Sequence, residues 1–144
     1  MRLFAEKLLA TLGNEGPILV YSHFEKTRLK ELADLFPDLA DGLNRFIDRL
    51  VDLLPLTRQN YYHPEMKGSW SLKMVLPTIA PDIDYGSLEE VQDGGGAQLA
   101  YAEAIDPVAT ESRRQELTER LLEYCKLDTL ALVKLVSFFQ LNTL

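Results

Sequence analysis

Cysteine is nearly absent: Cys125 stands alone among 144 residues, so no disulfide can close within the chain. That excludes a small disulfide-stapled secreted scaffold and fits a reducing, cytoplasmic setting. The apolar neighbours of Cys125 predict a buried thiol, not a nucleophile. Histidine is scarce too, and His23 has no companion at metal-ligand spacing, which argues against a zinc site. Basic residues fall short of acidic ones, 15 against 22, leaving a formal charge of -7. Such a chain does not hold nucleic acid by electrostatic adhesion, although an enzyme that meets phosphates through metal ions stays open. Long apolar runs are missing as well. Met1 to Ala10 alternates charged and apolar residues, and no later stretch reaches membrane-spanning length, so targeting and membrane signals are not found. The triple glycine Gly94-Gly95-Gly96 lacks a following Gly-Lys-Ser/Thr and a preceding strand. It reads as a flexible turn, not a phosphate loop.

What is present is ordinary for a folded protein: 47% hydrophobic and 26% charged residues place the chain in the globular class, with a length that suits one domain. Leu3, Phe4, Leu8, Leu9 and Leu12 recur at helical spacing before Gly13-Asn14, predicting a helix over residues 2 to 12. Ile18 to Tyr21 is a short β-rich run of the kind buried in parallel sheets. Helical periodicity returns over 24 to 35, Pro37 breaks it, and a further helix is expected from Asp38 to about Arg49. Leu50 to Leu54, ahead of Pro55, reads as a second strand, and Thr57 to Gly68 as a long polar and aromatic loop. Ser71 is placed to cap a helix from Leu72 that Pro77 must end. Pro81 to Gly96 reads as irregular and Ala97 to Ile105 as a short helix. A last helix runs from about Ser112 to Phe139. The fold class is therefore α/β, helix-rich, with about two parallel strands.

Two acids sit where acids are expensive. At 100° per residue the last helix puts Leu117, Leu121, Tyr124, Leu132, Leu135 and Phe139 in one stripe, with Glu119, Glu123, Lys126 and Ser137 opposite. Asp128 falls in the middle of the apolar stripe, and Tyr124 is on the same face one turn earlier. The same construction after the first strand aligns Glu25 with Leu29, Leu32 and Phe36. A carboxylate facing a core needs a partner, a hydrogen bond or a metal. Glu25 would emerge just past the carboxyl end of a strand, where open α/β sheets place their chemistry. A structural reading stands beside each. Ser22 to Glu25 has capping-box spacing, and Asp128-Thr129 is able to cap a helix if the last one is broken in two.

At these residues a resemblance enters. Val20-Tyr21-Ser22-His23-Phe24-Glu25, followed by Thr27, Arg28 and Leu29, resembles the second motif of the DnaQ-like 3′→5′ exonucleases, and Tyr124-Cys125-Lys126-Leu127-Asp128 resembles their third. Tyr61-Tyr62-His63-Pro64, Gly68-Ser69-Trp70-Ser71-Leu72-Lys73 and Val75-Leu76-Pro77 look like an uncharacterised bacterial family within that ribonuclease H-like superfamily. The resemblance implies phosphodiester hydrolysis of DNA or RNA by two divalent metal ions, Mg or Mn, held by four carboxylates. Glu25 and Asp128 would supply two of these, and Tyr124 would orient or help deprotonate the attacking water. In second rank stand Asp52, an auxiliary site acid or a helix cap; His63, a loop-packing residue or a substrate contact; and Lys73, solvated or on a phosphate.

The family's first motif, an Asp-x-Glu on a leading strand, does not precede the first helix. The resemblance then implies the carboxyl-terminal portion of an exonuclease domain, truncated or remnant, with half its metal ligands and little activity alone. Strands deprived of neighbours leave edges exposed, which predicts a homo-oligomer or completion by a missing amino-terminal segment. The competing expectation is a noncatalytic helical protein-interaction module.

Overall fold

The computed structural model describes residues 1–83, 91 and 94–142. The chain divides into two compact units, Met1–Tyr61 and Tyr62–Leu144, each described by itself.

The first unit begins with helix α1 (Arg2–Leu12), which stops at Gly13, where a positive φ of 58° suits a residue without a side chain. Strand β1 (Ile18–Val20) follows, then α2 (Phe24–Leu35), a 3₁₀ turn at Pro37–Leu39, α3 (Ala40–Arg49), strand β2 (Leu50–Asp52) and α4 (Leu53–Asn60). The strands pair in parallel, Ile18 opposite Leu50 and Val20 opposite Asp52. A parallel pair needs a long crossover, which α2 and α3 provide. Leu29, Leu32 and Ala33 of α2 lie one turn apart and pack on Leu43 and Phe46 of α3. Leu8 and Leu9 of α1, Ile18 and Leu50 close the same core. Gly42 is what lets α1 approach α3: a Cβ there would come within 2.8 Å of Leu9 Cδ2.

The second strand is shorter than its apolar run suggested, and a helix replaces the start of the expected loop. Asp52 ends the strand and caps α4, its Oδ1 accepting from Leu54 N at 2.9 Å. Pro55 then falls in the first helical turn, where a missing N–H leaves no helical bond unmade. Thr57 seals the turn from inside: it is fully buried, and its hydroxyl donates to Leu53 O at 2.7 Å.

The second unit holds a 3₁₀ turn at Pro64–Met66, α5 (Leu72–Ile79), α6 (Gly94–Ala104) and α7 (Glu111–Asn142). Leu76, Ala80 and Ile83 gather against Ala131 of α7, while Val91, Ala100 and Ala104 gather against Leu117. Pro77 does not end α5, which runs on to Ile79 with Ala80 N donating to Leu76 O at 2.8 Å. Packing of Leu76 and Ala80 on Ala131 outweighs the one bond that proline removes. The three glycines are likewise not a turn. They form the first turn of α6, a helix held by Ala100 and Ala104 against α7. Of the stretch 81–96 expected to be irregular, residues 84–90 and 92–93 lie outside the described residues. Arg114 joins the end of α6 to α7, donating from Nε to Ala104 O at 3.1 Å. Among the described residues no helix is long and apolar enough to cross a membrane.

Candidate functional site

Helix α7 runs unbroken for 32 residues, so Asp128 is interior to it and does not cap it. Its stripe is as the periodicity predicted. Leu117 and Leu135 are buried, Leu121, Tyr124, Leu132 and Phe139 half-buried, and Glu119, Glu123, Lys126 and Ser137 exposed. Tyr124 packs against both the Ala131 and the Leu117 apolar clusters, and Leu127 against one of them. Asp128, half-buried, follows on the same face one turn later. The helix thus brings Tyr124 and Asp128 together by its own repeat.

Cys125, expected inside, is exposed. It is next to Tyr124 in sequence and therefore about a quarter turn round from the packed face. Burial of its sulfur, and then the negative charge of Asp128 three residues on, raise the thiol above its ordinary pKa. Because the thiolate is the reactive form, Cys125 is expected to alkylate slowly at neutral pH despite its exposure. Asp128→Asn removes one of the two causes and should speed iodoacetamide labelling severalfold at pH 7.5. An unchanged rate would mean that the carboxylate does not act on the thiol.

Glu25 stands in the first turn of α2, just beyond the carboxyl end of β1, as its sequence position implied. It does not lie on a buried stripe: Glu25 is exposed, as is Phe24 at 52%. The buried line of α2 is Leu29, Leu32 and Ala33, which begins one turn after Glu25. The helix cap position falls on His23, not Ser22, and Ser22 Oγ accepts from Phe24 N at 3.4 Å.

Asp52 has a second task besides capping α4. The same Oδ1 accepts from Ser22 N at 2.9 Å, fixing the turn between β1 and α2, where Ser22 holds a φ of 105°. Few residues other than glycine adopt that conformation without a compensating bond. The carboxylate is therefore a joint between the ends of both strands, set opposite Val20 by the register. Around it lie residues that sequence reasoning missed. Tyr21 is half-buried and hydrogen-bonds the Thr57 side chain. Burial, the leading cause, and the negative charge of Asp52 raise its phenol above the ordinary value, against the opposing pull of the Thr57 bond and of Arg58. The available signal was Asp52-Leu53-Leu54-Pro55, an acid three residues before a proline, which fits a helix start.

His63 serves the loop: its Nδ1 accepts from Glu65 N at 3.3 Å and caps the 3₁₀ turn. Lys73 is exposed in the first turn of α5. Glu25 and Asp52 belong to the first unit, His63, Lys73, Tyr124 and Asp128 to the second. Among the described residues no group of three or more His, Cys, Asp or Glu side chains gathers to hold a metal ion.

Residues 1–71 match the model of a domain of unknown function, DUF2779. The match spans the first unit and reaches through the Tyr61-Tyr62-His63-Pro64 and Gly68-Ser69-Trp70-Ser71 segments. Neither the curated proteins nor the solved structures contain a match to the chain.

Proposed function

We propose that this chain is part of a metal-dependent 3′→5′ exonuclease-type phosphodiesterase of ribonuclease H-like descent, acting on DNA or RNA. One observation carries the reading: Asp128 lies half-buried in the interior of an unbroken helix, one turn after Tyr124 and on the same face. A carboxylate kept on a packing face is typical of sites where charge has work to do. Glu25, past the end of a parallel strand, is the companion acid that the motif order supplies. In this reading Glu25 and Asp128 are ligands of Mg or Mn, and Tyr124 sets the attacking water. Two further carboxylates complete the centre, so residues 1–144 are inactive or weakly active by themselves. In this reading Asp52 positions the Ser22 turn, its Oδ1 accepting from two backbone N–H groups.

Calorimetric titration of manganese into the whole chain tests this. Binding in the millimolar range is expected, and Asp128→Ala should abolish it while circular dichroism stays unchanged. Absence of binding at millimolar manganese would sink the reading. A noncatalytic interaction module, able to form a homo-oligomer, is the second reading, favoured by the exposure of Leu99, Ile105 and Val108 at 75%, 61% and 88%. That alternative expects concentration-dependent self-association without manganese binding.

A further inference from the structure

The segment from Tyr62 to Lys73 is unlike the rest of the chain. It holds two lysines and one glutamate within a protein of net charge -7, together with the sole tryptophan. Its backbone is closed on itself. Pro64–Met66 makes a 3₁₀ turn capped by His63, Lys67 N donates to Pro64 O at 3.1 Å, and Ser69 N donates to Met66 O at 2.9 Å. Met66, with no exposed surface, anchors the turn, and Lys67 and Gly68 take positive φ values of 51° and 77° that reverse the chain. The reversal brings Tyr62 and Trp70 to a centroid separation of 6.2 Å with ring planes 48° apart. Tyr62 nonetheless remains 61% exposed, and Lys67 is exposed on the turn between the two rings in sequence.

An aromatic ring held at the surface forgoes most of the stabilisation its burial would bring. Here it also stands beside a second ring, that of half-buried Trp70, so part of the ordering of a stacking surface precedes any ligand. Aromatic rings reachable from solvent, with cationic side chains on the same segment, are the chemistry that holds single-stranded nucleic acid, with bases on the rings and phosphates on the lysines. We infer that Tyr62 and Trp70 form a stacking platform for an unpaired base of a single-stranded DNA or RNA, with Lys67 on the adjoining phosphate. The choice of nucleic acid over a proline-rich peptide rests on the exonuclease reading and on the lysines. The platform gives that reading a substrate class, a single strand or a frayed end, and explains how an acidic chain contacts a polyanion at one short segment.

Trp70 is the chain's sole tryptophan, so intrinsic tryptophan fluorescence reports on this site alone. The whole chain is titrated with a dT10 oligonucleotide in low salt and EDTA, conditions that make the result independent of any metal site. Saturable quenching is expected, weakened by added salt. Tyr62→Ala should weaken binding about tenfold, within the range that one stacked base contributes, and Tyr62→Phe should preserve it. Lys67→Asn, which tolerates the left-handed backbone, should weaken binding and reduce its salt dependence. No quenching, equal quenching in Tyr62→Ala, stronger quenching by duplex, or quenching by a proline-rich peptide alone would each overturn the platform. Quenching without manganese binding would keep the platform and remove the nuclease. Manganese binding without quenching would do the reverse.

Discussion

Phe46→Ala is expected to cost the first unit about 3–5 kcal/mol, the range for removing a fully buried aromatic. Phe46 is 2% exposed and sits among Leu29, Leu32, Ala33 and Leu43, so the void left behind is lined by aliphatic groups on two helices that both feed the parallel strands. Small domains have little stability to lose, and a change of this size approaches the whole of it for a unit of this length. The ring also lies under the Arg49 guanidinium, 5.3 Å from the ring centroid, so its removal frees a side chain that organises a loop. Urea unfolding should be followed by far-ultraviolet circular dichroism and amide exchange in residues 1–61, since Trp70 reports only on the second unit. The midpoint should fall with little change in slope. A loss below about 1 kcal/mol would mean that the α2 and α3 faces do not form one core.

Helices α1, α2, α3 and α7 were legible because each carries an apolar repeat that only one face can bury: Leu8 and Leu9, Leu29 and Leu32, Leu43 and Phe46, Leu117 and Leu135. Both strands were legible as short apolar runs, the first after a turn and the second ahead of Pro55, and their parallel pairing followed from the helices between them. The failures share one cause. Pro55, Pro77 and the three glycines are local signals against helix, and each is overridden by something distant or positional. Pro55 falls in a first turn, Leu76 and Ala80 pack on Ala131, and Ala100 and Ala104 pack under Leu117. A propensity of about 1–3 kcal/mol gives way to burial of several side chains.

The candidate site divides the same way. Tyr124 and Asp128 share a face by helical repeat alone, so their relation was readable without a structure. The burial of Glu25 was misjudged because a helical wheel assigns faces to a helix but does not say where the packed partner stops. The bond from Ser22 to Asp52, 30 residues apart in sequence, exists only once β1 and β2 are in register. No local pattern announces it. Tyr21 and Thr57 were invisible for the same reason.

Arg49 supplies the second large expected effect, from a residue that no motif singles out. At the end of α3 its guanidinium reaches back to the loop between α1 and β1. Nε donates to Gly16 O and Nη1 to Gly13 O, each at 2.7 Å, and Nη2 donates to Leu12 O at 3.3 Å and to Glu15 O. Carbonyls at the carboxyl end of α1 and in the turn after it have no helical partners, and a cation there also meets the negative end of the helix dipole. Arg49→Ala should therefore cost about 2–3 kcal/mol, more than any of the exposed ion pairs such as Arg28 with Glu31, whose worth is about 0–1 kcal/mol. Arg49→Lys should recover less than half of that loss, because a single ammonium cannot present a planar fork to carbonyls spread over five residues. The expected readout is a thermal midpoint lowered by roughly 10 °C or more in Arg49→Ala. Amide exchange should accelerate first at residues 13–18, with α7 protected as before. A lysine variant as stable as the parent would show that charge at the end of α1, and not the geometry of the fork, holds the first strand in place.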